Sequence, residues 1–217
     1  MTAATMHPAE DVHSIRFGYL ARVLSERWPR PVRMPSLLYV SRDGGSLAGK
    51  LARVGFDVTA IRLQDTSLES LSERLAGRAG GFDVVCCCDL LEHVPDWSVA
   101  VAELARTLKR GGVFFYSIAA PTRRGVGWLD RLARWWLGDR NGSVVPADLH
   151  AALRRDGLLP QRLIGLGHGV TRPAMSRAVR RGAVSYMGYA FARGGPAAFV
   201  PAGNPEDEDY WRPRKAS

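Results

Sequence analysis

One stretch, residues 37–63, constrains the fold more than any other. It contains a short apolar run at 37–40, a polar loop, an amphipathic segment at 46–54 that ends at Gly55, and a second strand-like run at 57–61. This order predicts a βαβ unit with two parallel strands. In an open parallel sheet, the turn after the first strand lies where ligands bind. The stretch therefore predicts an α/β fold, a doubly wound and mostly parallel sheet.

The rest of the chain continues the alternation of strands and helices. Further strands are predicted at 82–87, 113–118, 158–166 and 183–192, the last antiparallel, and helices at 12–28, 66–75, 97–108 and 146–155. The helix at 66–75, with Thr66 and Glu69 as a capping box, leads directly into the next strand. Because no room remains there for another helix and strand, an edge strand is predicted to be lost.

The organisation into domains follows from the same pattern. Residues 1–193 are predicted to form a single domain, with 119–143 as a lid-like insertion. The alternative for this insertion is a helix that only packs on the domain. Residues 194–217 are rich in proline, glycine and charge, which predicts a disordered tail.

Composition narrows the environment and the partners. The 217 residues carry a net charge of +9, and 27 of the 30 basic residues are arginine. This charge favours an anionic small molecule or an acidic carrier protein over nucleic acid as the partner. The alternative is a basic surface with no special partner. Three consecutive cysteines, 86–88, are expected to be small core residues in a reducing cytoplasm. No apolar run approaches about 18 residues, so no transmembrane helix and no membrane partner are expected.

A charged cluster follows the strand at 82–87. Asp89, Glu92 and His93 stand at i, i+3 and i+4, so one helical turn would bring them to one face. They are candidate catalytic residues, as acid, base or orienting group. The alternative is that the two carboxylates only cap and position a helix while His93 packs nearby.

Several segments together resemble one family. The segments are IRFGYL (15–20), FDVVCCCDLLEHVPD (82–96), LARTLKRGGVFFYSI (104–118) and VSYMGYA (184–190). They are similar to class I S-adenosylmethionine-dependent methyltransferases, in particular the 3-demethylubiquinol O-methyltransferase branch. If the chain is a working methyltransferase, the resemblance implies that Asp43, Gly44 and Gly45 bind the cofactor. It also implies a possible Mg²⁺ site at Asp89, Glu92 and His93, as in some members of that branch.

The departures from the family pattern all affect the cofactor site. Ser41 and Asp43 replace two loop glycines, Arg62 replaces the ribose-binding acid, and the third strand is missing. We therefore expect a degraded cofactor site and no cofactor. Arg42, Arg62 and Arg123 could instead converge as an anion pocket that binds substrate, with Tyr116 as a further candidate from its position.

Three hypotheses for function follow. The first is a cofactor-independent catalyst of elimination or ring closure in bacterial natural-product biosynthesis. Its substrate would be an anionic intermediate, either free or tethered to a carrier protein. The second is an S-adenosylmethionine-dependent small-molecule O-methyltransferase. The third is a non-catalytic partner subunit of another enzyme.

Overall fold

The computed structural model describes residues 16–24, 34–42, 46–119, 144–167 and 183–194. The helices are α1 (16–24), α2 (Ser46–Arg53), α3 (Leu68–Leu75), α4 (Trp97–Arg106) and α5 (Pro146–Arg155). The strands are β1 (Ser36–Ser41), β2 (Asp57–Arg62), β3 (Phe82–Cys88), β4 (Leu108–Ala119), β5 (Leu158–Gly167) and β6 (Ala183–Ala192). A short 3₁₀ helix, Leu91–His93, follows β3.

The strands form one six-stranded sheet in the order β2-β1-β3-β4-β6-β5. Strands β2, β1, β3 and β4 pair in parallel, and β6 is antiparallel to both β4 and β5. The predicted α/β class with an antiparallel C-terminal strand is confirmed. Residues 63–81 contain α3 and no strand, so β2 is the edge strand of the described sheet, as the sequence predicted.

Alternate side chains of the central strands fill two apolar layers. In β1, Leu38 and Val40 pack on the layer that includes α3, α4 and α5, and Leu37 and Tyr39 pack on the layer that includes α1 and α2. The three cysteines of β3 follow the same alternation and are buried free thiols. Burial raises the pKa of the Cys86 and Cys87 thiols, so these thiols remain protonated core residues.

Two element boundaries differ from the prediction. The N-cap of α3 is Ser67, whose hydroxyl accepts a hydrogen bond from the Ser70 amide at 3.2 Å, and not Thr66. Helix α4 ends at Arg106, and β4 begins at Leu108 and runs through two glycines. A Cβ on Gly112 would lie 2.9 Å from the carbonyl oxygen of Asp83. Gly112 therefore lets β3 and β4 approach each other closely, in addition to following the end of α4.

Other predictions concern residues outside the described ones. The cofactor-loop residues 43–45 and all but Ala119 of the lid at 119–143 are among these, and so is the tail beyond residue 194. Within the described part of the chain, no helix has the length and apolar character to cross a membrane.

Gly188 of β6 lies where β4 and β5 approach closely. A Cβ there would lie 2.5 Å from the Tyr116 hydroxyl oxygen and 2.7 Å from the Arg162 carbonyl oxygen. We expect Gly188→Ala to lower the free energy of unfolding by about 1–3 kcal/mol, measured by urea denaturation. The matched control is Gly49→Ala in α2, where a Cβ meets nothing within 4 Å and alanine should stabilise by up to about 1 kcal/mol. Equal effects of the two substitutions would contradict this account.

Candidate active site

The carboxyl ends of the parallel strands lie side by side. Ser41 of β1 is in register with Arg62 of β2 and Cys88 of β3, and Cys88 is in register with Ser117 of β4. We call these strand ends and the residues that follow them the carboxyl rim. Most of the described candidate residues lie along this rim, where ligands bind in open α/β sheets.

Asp89 is the first residue after β3 and has an unusual backbone. Among the described residues it is the only non-glycine residue with a positive φ, at 48°. Its amide donates to the Ser117 carbonyl oxygen at 3.0 Å, and the Ser117 hydroxyl donates to Asp89 Oδ1 at 3.0 Å. Strained backbone of this kind persists only where surrounding contacts fix it, and it is common at functional sites.

Arg16 of α1 provides the strongest of these contacts. Its Nη1 donates to Asp89 Oδ2 at 2.5 Å and its Nη2 donates to Oδ1 at 2.9 Å, a bidentate ion pair. The Arg16 side chain is 5% exposed, whereas that of Asp89 is 43% exposed. Asp89 is thus held from inside the protein and remains open to a ligand on the other side.

Glu92 is turned toward the end of β4. Its Oε1 accepts a hydrogen bond from the Ala119 amide at 3.0 Å, and its buried Oε2 has no hydrogen-bond partner among the described residues. Burial is the main cause that raises the pKa of the Glu92 carboxyl, and the charge of Asp89 adds to it. Glu92 therefore takes up a proton more readily than an ordinary glutamate.

His93 lies partly exposed at the end of the 3₁₀ helix. Burial lowers its pKa, and the positive charge of Arg42 lowers it further, partly opposed by Asp89. At neutral pH the imidazole is therefore uncharged and able to accept a proton.

Two of the three predicted anion-binding arginines are neighbours. Arg42 and Arg62 are both exposed, and Arg62 Nε donates to the Arg42 carbonyl oxygen at 3.2 Å. Arg123 lies outside the described residues, so its convergence with the pair stays a prediction. The same holds for the roles of Asp43, Gly44 and Gly45.

Tyr116 does not lie on the exposed rim. Its side chain is fully buried, and its hydroxyl oxygen is 2.7 Å from His150 Nε2 of α5. Because alternate residues of β4 face the two apolar layers, the aromatic ring of Tyr116 enters the layer that contains α5. Its placement gives no support to the predicted contact with a substrate anion.

The structure does not group the three candidate metal ligands. Within the described ranges, no three His, Cys, Asp or Glu side chains are arranged to hold a metal ion. Asp89 is paired with Arg16, and Glu92 is bonded to the Ala119 amide.

Sequence reasoning missed Arg16 as a site residue. It lies on a helix with an apolar stripe, and its partner is 73 positions away in the chain. One feature of the sequence could have identified Arg16 as a site residue. It is a charged residue among apolar ones in the IRFGYL segment, which is part of the family resemblance.

Comparison with known proteins identifies the class. A family model described as a methyltransferase domain matches residues 12–158, so the chain belongs to that family. The ubiquinone biosynthesis O-methyltransferase of Xanthomonas axonopodis pv. citri is 29% identical over 84% of this chain and 85% of its own length.

Two solved structures show the same fold. Magnesium protoporphyrin IX methyltransferase from Synechocystis PCC 6803, solved with bound SAH, matches with a TM-score of 0.53 and 18% identity, covering 88% of this chain and 90% of its own. The [4+2]-cyclase SpnF matches with a TM-score of 0.51 and 16% identity, covering 82% and 81%. Identities this low show the fold alone.

The expectation that the chain uses no cofactor is wrong. The chain belongs to a methyltransferase family and matches relatives named O-methyltransferases, enzymes that need a methyl donor, and this finding overturns the expectation. The expectation came from replaced side chains, but Ser41 is 1% exposed and packed inside the protein. Arg62 is directed to the Arg42 carbonyl. Loss of S-adenosylmethionine binding has no support from the comparisons.

His150 makes stability depend on pH. Burial, with a smaller contribution from Arg154, lowers its pKa from 6.5 to about 4. Between these values the unfolded chain binds a proton that the folded chain does not, so stability falls as pH decreases through this range. The shift corresponds to about 3 kcal/mol at low pH.

His150→Gln removes this titration and keeps a polar partner for the Tyr116 hydroxyl. We expect the difference in unfolding free energy between wild type and variant to change between pH 6.5 and about 4, measured by urea denaturation across pH. Parallel pH curves for the two proteins would show that His150 titrates normally.

Proposed function

We propose that this protein is an S-adenosylmethionine-dependent O-methyltransferase that acts on a small hydroxylated molecule. The observation that carries the proposal is the arrangement of Asp89 on the carboxyl rim of a methyltransferase fold. Asp89 is fixed by Arg16 and Ser117, and is open on one side. His93, which is uncharged at neutral pH, lies on the same rim.

The charges of the rim suit the cofactor. S-adenosylmethionine carries an ammonium, a sulfonium, a carboxylate and ribose hydroxyls. Asp89 offers a carboxylate to the positive groups, and Arg42 offers a guanidinium to the carboxylate. Arg62 has only donors, and it would donate to ribose hydroxyl oxygens where other proteins use an acid to accept from them.

When bound, S-adenosylmethionine supplies the electrophilic methyl group. The chain's own residues handle the proton of the acceptor hydroxyl. His93 accepts that proton as general base, because its lowered pKa keeps the imidazole free at neutral pH. Glu92, anchored to the Ala119 amide, lies next to His93 in the chain, and its raised pKa makes it a second candidate for holding a proton.

The relatives suggest the acceptor. They are named for ubiquinone biosynthesis, in which the methyl group goes to oxygen. We therefore favour a phenolic or catechol-like acceptor, whose hydroxyl loses a proton more easily than that of an aliphatic alcohol.

Calorimetry with S-adenosylmethionine and with S-adenosylhomocysteine tests the proposal. We expect the wild type to bind both, and Asp89→Asn to weaken binding of both by about tenfold or more, since a charge-assisted hydrogen bond is worth about 1.5–3 kcal/mol. Asp96→Asn is the matched control, because Asp96 is exposed and its side chain makes no capping hydrogen bond. Absence of binding by the wild type, or equal weakening in both variants, would overturn the proposal.

A second prediction concerns His93. With catechol as acceptor, kcat/KM should fall as pH decreases below 6.5, because His93 must be neutral and its pKa is lowered from that value. His93→Gln should reduce kcat by about 10²–10⁴-fold and remove this limb of the pH profile. If His93→Gln still showed the decrease in kcat/KM at acid pH, the titrating group would be a residue other than His93.

A further inference from the structure

Strand β2 bounds the described sheet on one side, and only β1 pairs with it there. The amide of Leu63, directly after β2, donates to the Ser41 carbonyl oxygen of β1 at 3.0 Å. Alternate residues of a strand direct their backbone groups to opposite edges. The amides and carbonyls of Val58, Ala60 and Arg62 are therefore directed outward. Within the described part of the chain, no strand or loop forms hydrogen bonds with that outer edge.

Strand β2 lacks the features that usually protect such an edge. Its six residues pair with β1 in unbroken register, and none of them is proline, glycine or lysine. Val58, Thr59 and Ile61 are β-branched and favour extended backbone. A regular edge strand without a bulge, a proline or a central charge is a template for pairing with another strand.

The opposite edge of the described sheet is β5, and it is protected. It contains Pro160, and its pairing with β6 shifts register next to Pro160 and again next to Gly167. Proline and irregular register are features that keep an edge strand from pairing further. The contrast between the two edges indicates that β2 is the one suited to an interaction.

The charges of β2 favour a second copy of the same strand as its partner. Asp57 at the start and Arg62 at the end are both exposed. An antiparallel pair of β2 strands brings the acidic end of each strand beside the basic end of the other, whereas a parallel pair sets like charges side by side. A two-fold axis perpendicular to the sheet produces the antiparallel pair from one self-complementary surface.

One register of this pair uses all three outward residues of each strand. It places Val58 of one copy opposite Arg62 of the other, and the two Ala60 residues opposite each other on the axis. Each hydrogen-bonded pair exchanges two backbone bonds, which gives about six in total. Ala60 is exposed in the single chain and small, so its side chain does not hold the backbones apart. A shift of register would place one residue of each strand opposite a position outside β2.

We propose that two copies of this chain form a two-fold dimer in which their β2 strands pair antiparallel through the outer edges. The two six-stranded sheets then become one continuous sheet, with the two carboxyl rims directed to opposite sides. Arg62 contributes only backbone groups to the junction, so its guanidinium keeps its hydrogen bond to the Arg42 carbonyl oxygen. A strand of another protein, or a segment of this chain outside the described residues, would occupy the same edge and prevent the dimer.

Analytical ultracentrifugation of the full chain over a concentration series tests the proposal. We expect a reversible equilibrium between the monomer and a species of twice its mass. Ala60→Pro should raise the dissociation constant by about tenfold or more, because proline removes the outward amide of residue 60 from both copies. The hydrogen bonds between β2 and β1 do not use that amide. Ala60→Ser keeps it and is the matched control, which should dimerise like the wild type.

Ala60→Lys is a second disrupting variant that keeps the backbone amide. It sets two positive charges directly opposite each other on the axis, which should weaken the dimer, while the exposed position accepts a longer side chain in the monomer. Thermal melting checks that each variant is folded.

Disulfide cross-linking tests the register. With oxidised glutathione, Ala60→Cys should form a disulfide between copies, because the Cα atoms of a hydrogen-bonded antiparallel pair lie about 5.5 Å apart, within the range of a disulfide. Asp57→Cys is the matched control, since the two Asp57 residues lie at opposite ends of the junction. The native cysteines, which are buried, are present in both variants.

Two outcomes would overturn the dimer. One is a monomer at every concentration up to the solubility limit, which would show that the edge is occupied or inert. The other is a dimer that Ala60→Pro and Ala60→Lys leave unchanged, which would show that another surface associates. Equal cross-linking of the two cysteine variants would contradict the register. Because Ala60 belongs to neither the proposed cofactor contacts nor the proton transfer, these outcomes leave the proposed methyl transfer intact.

Discussion

The ion pair between Arg16 and Asp89 is the interaction on which the carboxyl rim depends. Arg16 is 4% exposed, and a buried cation without a partner would cost several kcal/mol. Asp89 can supply two oxygens to that cation with its backbone at φ 48°, which the amide and hydroxyl bonds with Ser117 hold in place. One contact thereby joins two elements that are 73 residues apart and fixes the backbone at the point where the chain leaves β3.

The acid–base character of the rim follows from that fixed point. With Asp89 anchored, the 3₁₀ turn places Glu92 under the end of β4 and His93 near Arg42. Burial shifts the two pKa values in opposite directions: it raises the pKa of the Glu92 carboxyl and lowers that of the His93 imidazole. Each group is therefore shifted toward its neutral form.

Local patterns in the sequence predicted the elements well, and contacts between elements poorly. The bounds of α5 and β6 match the prediction because proline at a helix start and the alternation of side chains in a strand are local signals. The length of β4 was missed because Gly111 and Gly112 usually end a helix, whereas here they allow two strands to approach. Arg16 was missed because its partner is remote in the chain, and Tyr116 was misplaced because its layer is set by packing against α5.

The replaced residues of the cofactor loop led to the wrong conclusion for a related reason. A sequence comparison treats Arg62 as the loss of an acceptor, but a ribose hydroxyl both donates and accepts hydrogen bonds. With β2 at the edge of the sheet, the guanidinium of Arg62 is exposed and needs no buried counterion. In the proposed complex, replacing the acid would reverse the direction of one hydrogen bond at a solvated position and would not leave a buried group unpaired. The replacement is therefore compatible with the proposed methyl transfer.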